Sequence, residues 1–120
     1  MLRFNNLPTA LNKKFENHSL LKIISGLNNF DEDSVLRISK AAGIAGADLL
    51  DVACDPHLVR LSKEVSGLPI CVSSVEPELF VSAVEAGASM VEIGNFDSFY
   101  PKGRFFDEKE GLDLTIRTRK

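Results

Sequence analysis

Three charged side chains stand within stretches of the sequence that are otherwise apolar: Lys22, Asp51 and Glu92. Isolated charges are costly to bury, so we expect the lysine to pair with one or both carboxylates. A lysine in such a place could form a Schiff base or carry a proton, with Asp51 or Glu92 as acid and base. The alternative is a layer of ion pairs with a structural role only. These three residues are the candidate catalytic residues.

Two segments around the carboxylates follow one plan. Residues 45–55 read AGADLLDVACD and residues 86–97 read AGASMVEIGNFD. Each begins with Ala-Gly-Ala, continues through apolar residues around one carboxylate and ends in polar residues, which is typical of a helix end that leads into a short buried strand. The segments lie about 40 residues apart, the length of one βα unit in a barrel. The repeat predicts an α/β fold with parallel strands.

The rest of the sequence supplies the other elements of this fold. We predict strands over 20–27, 48–53, 69–74 and 90–93, and helices over 7–17, 31–45, 55–66 and 76–86. The first strand is a nearly continuous apolar run, which is typical of a strand covered on both faces. Residues 107–117 fit a strand or a helix, and we predict a helix because the preceding strand needs a crossover. Strands separated by helices pair in parallel with right-handed crossovers.

Composition limits the classes of protein and partner. A length of 120 residues with 44% hydrophobic and 26% charged residues predicts a single domain over residues 1–120. A net charge of −3 argues against a nucleic-acid or anionic-membrane surface. The sequence has neither an apolar run long enough to cross a bilayer nor a recognisable signal or transit peptide, so we expect a soluble protein. We therefore predict a small-molecule ligand, with no nucleic-acid or membrane partner.

Ligands of parallel α/β barrels bind at the carboxyl ends of the strands. Polar residues at those ends are the candidate ligand-binding residues: Ser25, Asn28, Cys54, Ser73, Asn95 and Asp97. Cys54 could be a nucleophile if the start of the following helix lowers the pKa of its thiol, or a small core residue with no special role. Cys54 and Cys71 lack a CxxC spacing, so we expect reduced, mostly buried thiols.

A metal site has little support in the sequence. Two carboxylates could hold Mg²⁺ together with substrate oxygens. However, His18 precedes the first strand and His57 lies within a predicted helix, so neither supports a transition-metal site. We predict no metal, and the sequence leaves the cofactor unknown.

Four stretches resemble a known family: KIISGLNNFD (22–31), ACDPHLV (53–59), LPICVSSVEP (68–77) and VEIGNFDSFY (91–100). Together they resemble the amino-terminal half of the hypothetical chloroplast reading frame family numbered twenty-three, found in algal plastids and cyanobacteria. The resemblance implies an aldolase-type TIM barrel about twice as long as this chain. It also implies a location in the plastid (chloroplast) stroma without a transit peptide. It implies no activity.

The resemblance sharpens the fold prediction to the first half, about four βα units, of a TIM (β/α)8 barrel with parallel strands. The outer strands of such a half barrel have open edges, so we expect self-association if it is the complete product. The leading functional hypothesis is an enzyme with proton-transfer or carbon–carbon lyase or isomerase chemistry on a small oxygenated or phosphorylated metabolite. The alternatives are a non-catalytic stromal ligand-binding or interaction protein, and an inactive truncated fragment.

Overall fold

The computed structural model of the chain describes residues 9–93 and 108–119, which form four strands alternating with helices. In chain order the elements are α1 (Thr9–Glu16), β1 (Lys22–Ile24), α2 (Glu32–Ala45), β2 (Leu49–Ala53), α3 (Pro56–Ser66), β3 (Ile70–Ser74), a 3₁₀ turn (Pro77–Leu79) that continues into α4 (Phe80–Glu85), β4 (Met90–Ile93) and α5 (Glu108–Arg119). The predicted α/β order is confirmed, and the ambiguous segment near the carboxyl end is helical. A loop predicted over residues 97–103 lies outside the described residues.

The four strands form one sheet in the order β1-β2-β3-β4, and each neighbouring pair is parallel. Each pair of sequential strands is therefore joined by a crossover, in which α2, α3 and α4 take part. Three register pairs concern the candidate site: Lys22 with Leu49, Asp51 with Cys71, and Ser73 with Glu92. Because side chains alternate between the two faces of a strand, these residues share one face of the sheet.

The helix boundaries follow from local signals in the sequence. The Asp55 carboxylate accepts hydrogen bonds from the backbone N–H groups of His57 at 2.8 Å and Leu58 at 3.1 Å, and Pro56 takes the first position of α3. Asp55 is therefore the N-cap of α3. At the carboxyl end of α2, the C-cap residue Gly46 has φ 77°, a left-handed conformation that glycine adopts without a steric penalty. These caps fix where β2 begins and where it ends.

The helix-covered face of the sheet contains the main core. Alternate residues of β2 and β3 point into it and are fully buried: Leu50, Val52, Ile70 and Val72. The helices cover them with Val35 from α2, Leu58 and Val59 from α3, and Phe80 and Ala83 from α4. Burial of apolar side chains of this size stabilises a fold by about 1.5–3 kcal/mol each. This face therefore contributes most of the stability that positions the strands.

The opposite face has a smaller apolar cluster at the amino ends of the strands. Leu49 and Cys71 are buried there beneath Leu11 of α1, with Phe15 and Met90 packed beside them. We call this face the open face, because among the described elements only α1 covers it. Lys22 lies on this face level with Leu49, and Asp51 and Glu92 lie two residues further along their strands.

β1 differs from its prediction. It spans only three residues, and Leu21 just before it and Ile24 at its end are half exposed, at 51% and 54%. A strand covered on both faces was expected over 20–27. The physical reason is position, since β1 pairs only with β2 in the described sheet and so forms one of its edges. Within the described ranges, no helix is both long and apolar enough to span a bilayer.

Candidate functional site

The open face brings Lys22, Asp51 and Glu92 together. Lys22 Nζ lies 2.7 Å from Glu92 Oε2 and 3.6 Å from Asp51 Oδ2, so the expected pairing of the lysine with both carboxylates is present. β1 and β4 are not neighbours in the sheet. The long side chains of Lys22 and Glu92 together bridge the two strands that lie between them. We call these three residues the charge cluster.

Asp51 is the most buried member of the charge cluster. Its side chain is 4% exposed, and the Ser73 hydroxyl lies 2.8 Å from each of its carboxylate oxygens. Burial raises the pKa of Asp51 from 3.8 to about 6, and the charge of Glu92 adds to the rise. The Ser73 hydrogen bond and the Lys22 ammonium lower this pKa only in part. Asp51 can therefore exchange a proton close to neutral pH.

Lys22 is held as a cation. Burial lowers the pKa of the amine, but the hydrogen bond and charge of Glu92, with smaller contributions from Cys71 and Asp51, outweigh burial and raise that pKa above 10.5. A Schiff base forms from the neutral amine, which a raised pKa makes scarce at neutral pH. Of the two roles considered for Lys22, the geometry favours the charged one, as a proton donor or as a fixed positive charge.

Cys71 belongs to the site although sequence reasoning placed it only in the core. It pairs in register with Asp51, and its Sγ lies 4.0 Å from Glu92 Oε2. Burial raises the pKa of the thiol far above 9.0, and the charges of Asp51 and Glu92 raise it further, so Cys71 stays protonated. The signal that could have found it is period-two alternation, because Cys71 precedes Ser73 by two residues on the same face.

The site also has the atoms of a metal centre. Single donor atoms of Asp51, Cys71 and Glu92 lie within 4.8 Å of one another. The Lys22 ammonium already lies 2.7 Å from Glu92 and 3.6 Å from Asp51, where it acts as an internal cation. A divalent ion would have to displace this amine and deprotonate a thiol of raised pKa. The predicted absence of a metal stays a prediction.

The structure separates the candidate ligand-binding residues. Ser73 belongs to the charge cluster through its bond to Asp51, whereas Ser25 accepts a hydrogen bond from Asn29 at 3.2 Å in the loop after β1. Asn28 and Cys54 line a separate cavity of about 200 Å³ at the carboxyl ends of the strands, with other residues of that end: Leu27, Phe30, Ser74, Val75, Glu76 and Leu79. The remaining candidates, Asn95 and Asp97, lie outside the described residues.

The hypothesis of Cys54 as a nucleophile is not supported by its environment. Its Sγ donates to the backbone oxygen of Leu79 at 3.4 Å. Burial raises the pKa of the thiol from 9.0 to about 11, and the charges of Asp55 and Glu76 act in the same direction. The start of α3 could have lowered this pKa in the nucleophile hypothesis, but Asp55 caps that helix and its charge raises the pKa. Cys54 therefore stays a thiol.

A second cavity opens at the amino ends of the strands, an end that sequence reasoning did not consider. Its volume is about 340 Å³. It lies between α1 and the open face, and seven residues line it: Phe15, Leu20, Lys22, Leu49, Met90, Val91 and Glu92. Two members of the charge cluster, Lys22 and Glu92, thus border this cavity, and none borders the one at the carboxyl ends.

The fold and the site together define a parallel α/β protein with a lysine–carboxylate cluster on one face of its sheet. Sequence comparison gives the family. The model of the family described as "Protein of unknown function (DUF561)" matches residues 5–120, and the chain belongs to this family.

Curated relatives agree with this assignment. The chain is similar to "Uncharacterized protein ycf23" of Cyanophora paradoxa, with 47% identity over 114 residues that cover 91% of this chain and 47% of that protein. The protein of the same description in Pyropia yezoensis is 38% identical over 105 residues, which cover 88% of this chain and 38% of the relative. The resemblance found in the sequence is confirmed. The relatives come from algal plastid genomes, and the chain spans less than half the length of each.

Proposed function

We propose that the chain forms the first four βα units of an aldolase-type TIM barrel in the plastid stroma. In this proposal the open face lies on the inside of the barrel. Two observations support it. The four parallel strands follow one another in sequence order, as they do in such a barrel. The relatives are about twice as long as the chain and so have room for four further units.

The proposed activity is proton transfer on a small oxygenated metabolite, as in a lyase or isomerase. The observation that carries it is the pair formed by Asp51 and Lys22: a buried carboxyl with a pKa of about 6 lies 3.6 Å from a protonated amine. A general base is most effective when its pKa lies near the ambient pH. The cation beside it can stabilise negative charge that develops on oxygen.

The step can be written for a carbonyl compound. The Asp51 carboxylate takes a proton from the carbon next to the carbonyl group. The electron pair of that C–H bond forms a carbon–carbon double bond, and the π pair of the carbonyl group moves to its oxygen. The Lys22 ammonium stabilises the resulting enolate oxygen. In a hydroxyketone the proton of the adjacent hydroxyl group passes to the enolate oxygen, and Asp51 returns its proton to the former carbonyl carbon. This gives the isomeric hydroxyaldehyde and restores the carboxylate. Glu92 keeps Lys22 protonated throughout by raising its pKa.

The charge balance bears on the substrate. The cluster has two carboxylates for one ammonium, so a phosphate group placed against it would be repelled. A neutral carbonyl or hydroxyl group suits this position better. A phosphorylated substrate would have to keep its phosphate away from the charge cluster.

The test is hydrogen–deuterium exchange. The chain and the full-length Cyanophora paradoxa relative are incubated in D₂O with small hydroxyketones such as dihydroxyacetone, and NMR follows the loss of the proton next to the carbonyl group. We expect exchange that increases as Asp51 ionises near pH 6 and that falls about 100-fold or more in Asp51→Asn. Glu85→Gln, on the exposed side of α4, is the control. Exchange at the buffer rate in both proteins would exclude the activity for these compounds.

A non-catalytic binding role is the second candidate, and one observation favours it. Lys22 is paired with two carboxylates and Asp51 accepts bonds from Ser73, so the charge cluster is satisfied without a substrate. Binding of the hydroxyketones without exchange, and with equal affinity in Asp51→Asn, would support this role instead.

A further inference from the structure

The cavity at the amino ends of the strands has the form of a small-molecule site. Phe15 of α1 and Leu20 after it lie on one side, and the first residues of β1, β2 and β4 lie on the other: Lys22, Leu49 and Met90. At about 340 Å³ the cavity lies at the lower end of the range in which proteins bind small ligands.

The lining of this cavity divides into two parts. The apolar part is formed by Phe15, Leu20, Leu49, Met90 and Val91, and the charged part by Lys22 and Glu92. An occupant that leaves no apolar surface in water and no charge unpaired must have an apolar body and one polar end. The polar end would meet Lys22 and Glu92.

The sign of charge at that end is set by the charge cluster. Asp51 and Glu92 oppose a single ammonium, and the charge of Glu92 contributes to the raised pKa of both Asp51 and Cys71. An anionic occupant would lie beside both carboxylates, whose charges exceed that of the single ammonium. A cationic occupant can approach Glu92, whose side chain is 43% exposed, without breaking its pair with Lys22.

We propose that this cavity binds a small organic cation, a primary ammonium on a short alkyl or aromatic body. The ammonium pairs with Glu92, and the body packs against the apolar lining. The proposal goes beyond the proton transfer proposed above, because it requires neither turnover nor Asp51 as a base. The open sheet face could instead accept a second copy of the chain. A second copy would bring two carboxylates and one ammonium, and so a further net negative charge, to a face that already has an excess of carboxylates. Charge complementarity therefore favours the amine.

The test compares three probes of matched size: hexylammonium, hexanoate and hexanol. Methyl NMR of Met90 and Leu49 reports occupancy of the cavity in the unmodified chain. We expect hexylammonium to shift both signals saturably, hexanol to bind about fivefold more weakly, and hexanoate to leave them unchanged. Glu92→Gln should weaken hexylammonium about fivefold and leave hexanol unaffected. Glu76→Gln, in the cavity at the carboxyl ends, is the matched control and should change neither affinity.

Several results would overturn the proposal: hexanoate binding as well as hexylammonium, equal hexylammonium affinity in the Glu92→Gln variant, or no shift at Met90. Without any probe, the Met90 signal could shift with protein concentration while sedimentation shows a dimer. This result would show that a second copy of the chain occupies the cavity. Asp51→Asn separates this proposal from the proton transfer, because it should abolish exchange yet reduce hexylammonium affinity less than Glu92→Gln does. Amine binding without exchange would support the proposed amine site and contradict the proposed proton transfer.

Discussion

The two faces of the sheet are built from alternate residues of the same strands, yet they differ in the polarity of their side chains and in how fully helices cover them. On the helix-covered face, Leu50 and Val52 of β2 are fully buried in an apolar core. On the open face, Asp51 lies between them in sequence and binds Ser73 and Lys22. The comparison shows that one strand can hold the fold together with one set of side chains and position charged groups with the other.

On the open face, the exposed fraction of the charged side chains increases from the inner strand to the edge strands. The Asp51 side chain on the inner strand β2 is 4% exposed, Lys22 on the edge strand β1 is 26% exposed, and Glu92 on β4 is 43% exposed. Burial is the largest cause of the raised pKa of Asp51. The carboxylate whose pKa is raised by burial therefore lies on an inner strand, whereas Glu92 lies on an edge strand with more of its side chain exposed to solvent.

The largest effect should come from the helix-covered face. Leu50→Ala removes a fully buried side chain and should lower the free energy of unfolding by about 2–5 kcal/mol. Met90→Ala, on the open face, removes a half-buried side chain and should cost clearly less. Urea denaturation followed by circular dichroism measures both. Equal losses would contradict the inference that the helix-covered face contributes more stability than the open face.

The next effect concerns Asp51, whose substitution should raise the free energy of unfolding at neutral pH instead of lowering it. The unfolded carboxyl titrates near 3.8 and the folded one near 6, so the folded state holds the proton more tightly. The free energy of unfolding then falls as pH rises between these two values, by about 3 kcal/mol in total. The groups that face Asp51 are Lys22 from β1, Cys71 and Ser73 from β3, and Glu92 from β4.

Asp51→Asn removes the ionisable group and with it this pH-dependent loss of stability. The amide oxygen of the asparagine can still accept a hydrogen bond from the Ser73 hydroxyl. We expect the variant to be more stable than the native chain at pH 7, by about 1–3 kcal/mol, and to match it below pH 4. Urea denaturation of both proteins at several pH values gives the difference directly. A variant that is less stable at pH 7 would show that Asp51 is a net stabilising ion-pair partner rather than a strained functional group.

Much of this arrangement is readable in the sequence. The repeated Ala-Gly-Ala segments and the caps at Asp55 and Gly46 are local signals, and they predicted the order of helices and strands and the bounds of α3 closely. Alternation within strands placed Lys22 and the carboxylates on defined faces. The cost of burying single charges then predicted their pairing.

What the sequence could not provide depends on contacts between distant residues. The short length of β1 follows from its edge position, and the presence of Cys71 beside Asp51 follows from strand register. The direction of a pKa shift is a balance between burial and nearby charge. That balance favoured the charged form at Lys22 and the neutral form at Cys54, the reverse of the shifts that a Schiff base and a nucleophile need. The amino-end cavity depends on how α1 lies against the sheet.

The smallest effect on stability should come from Glu92, the most exposed member of the charge cluster. Glu92→Gln should change the free energy of unfolding by less than about 1 kcal/mol, because ion pairs with a solvated partner contribute little. The same substitution should clearly lower the proton affinity of Lys22. The hydrogen bond and charge of Glu92 are the main causes that raise the pKa of Lys22 against burial, so the substitution should bring that pKa down toward or below 10.5. Titration of the Lys22 amine by ¹⁵N NMR measures it, with Glu85→Gln as control. An unchanged pKa would mean that Asp51, and not Glu92, is the partner that keeps Lys22 charged.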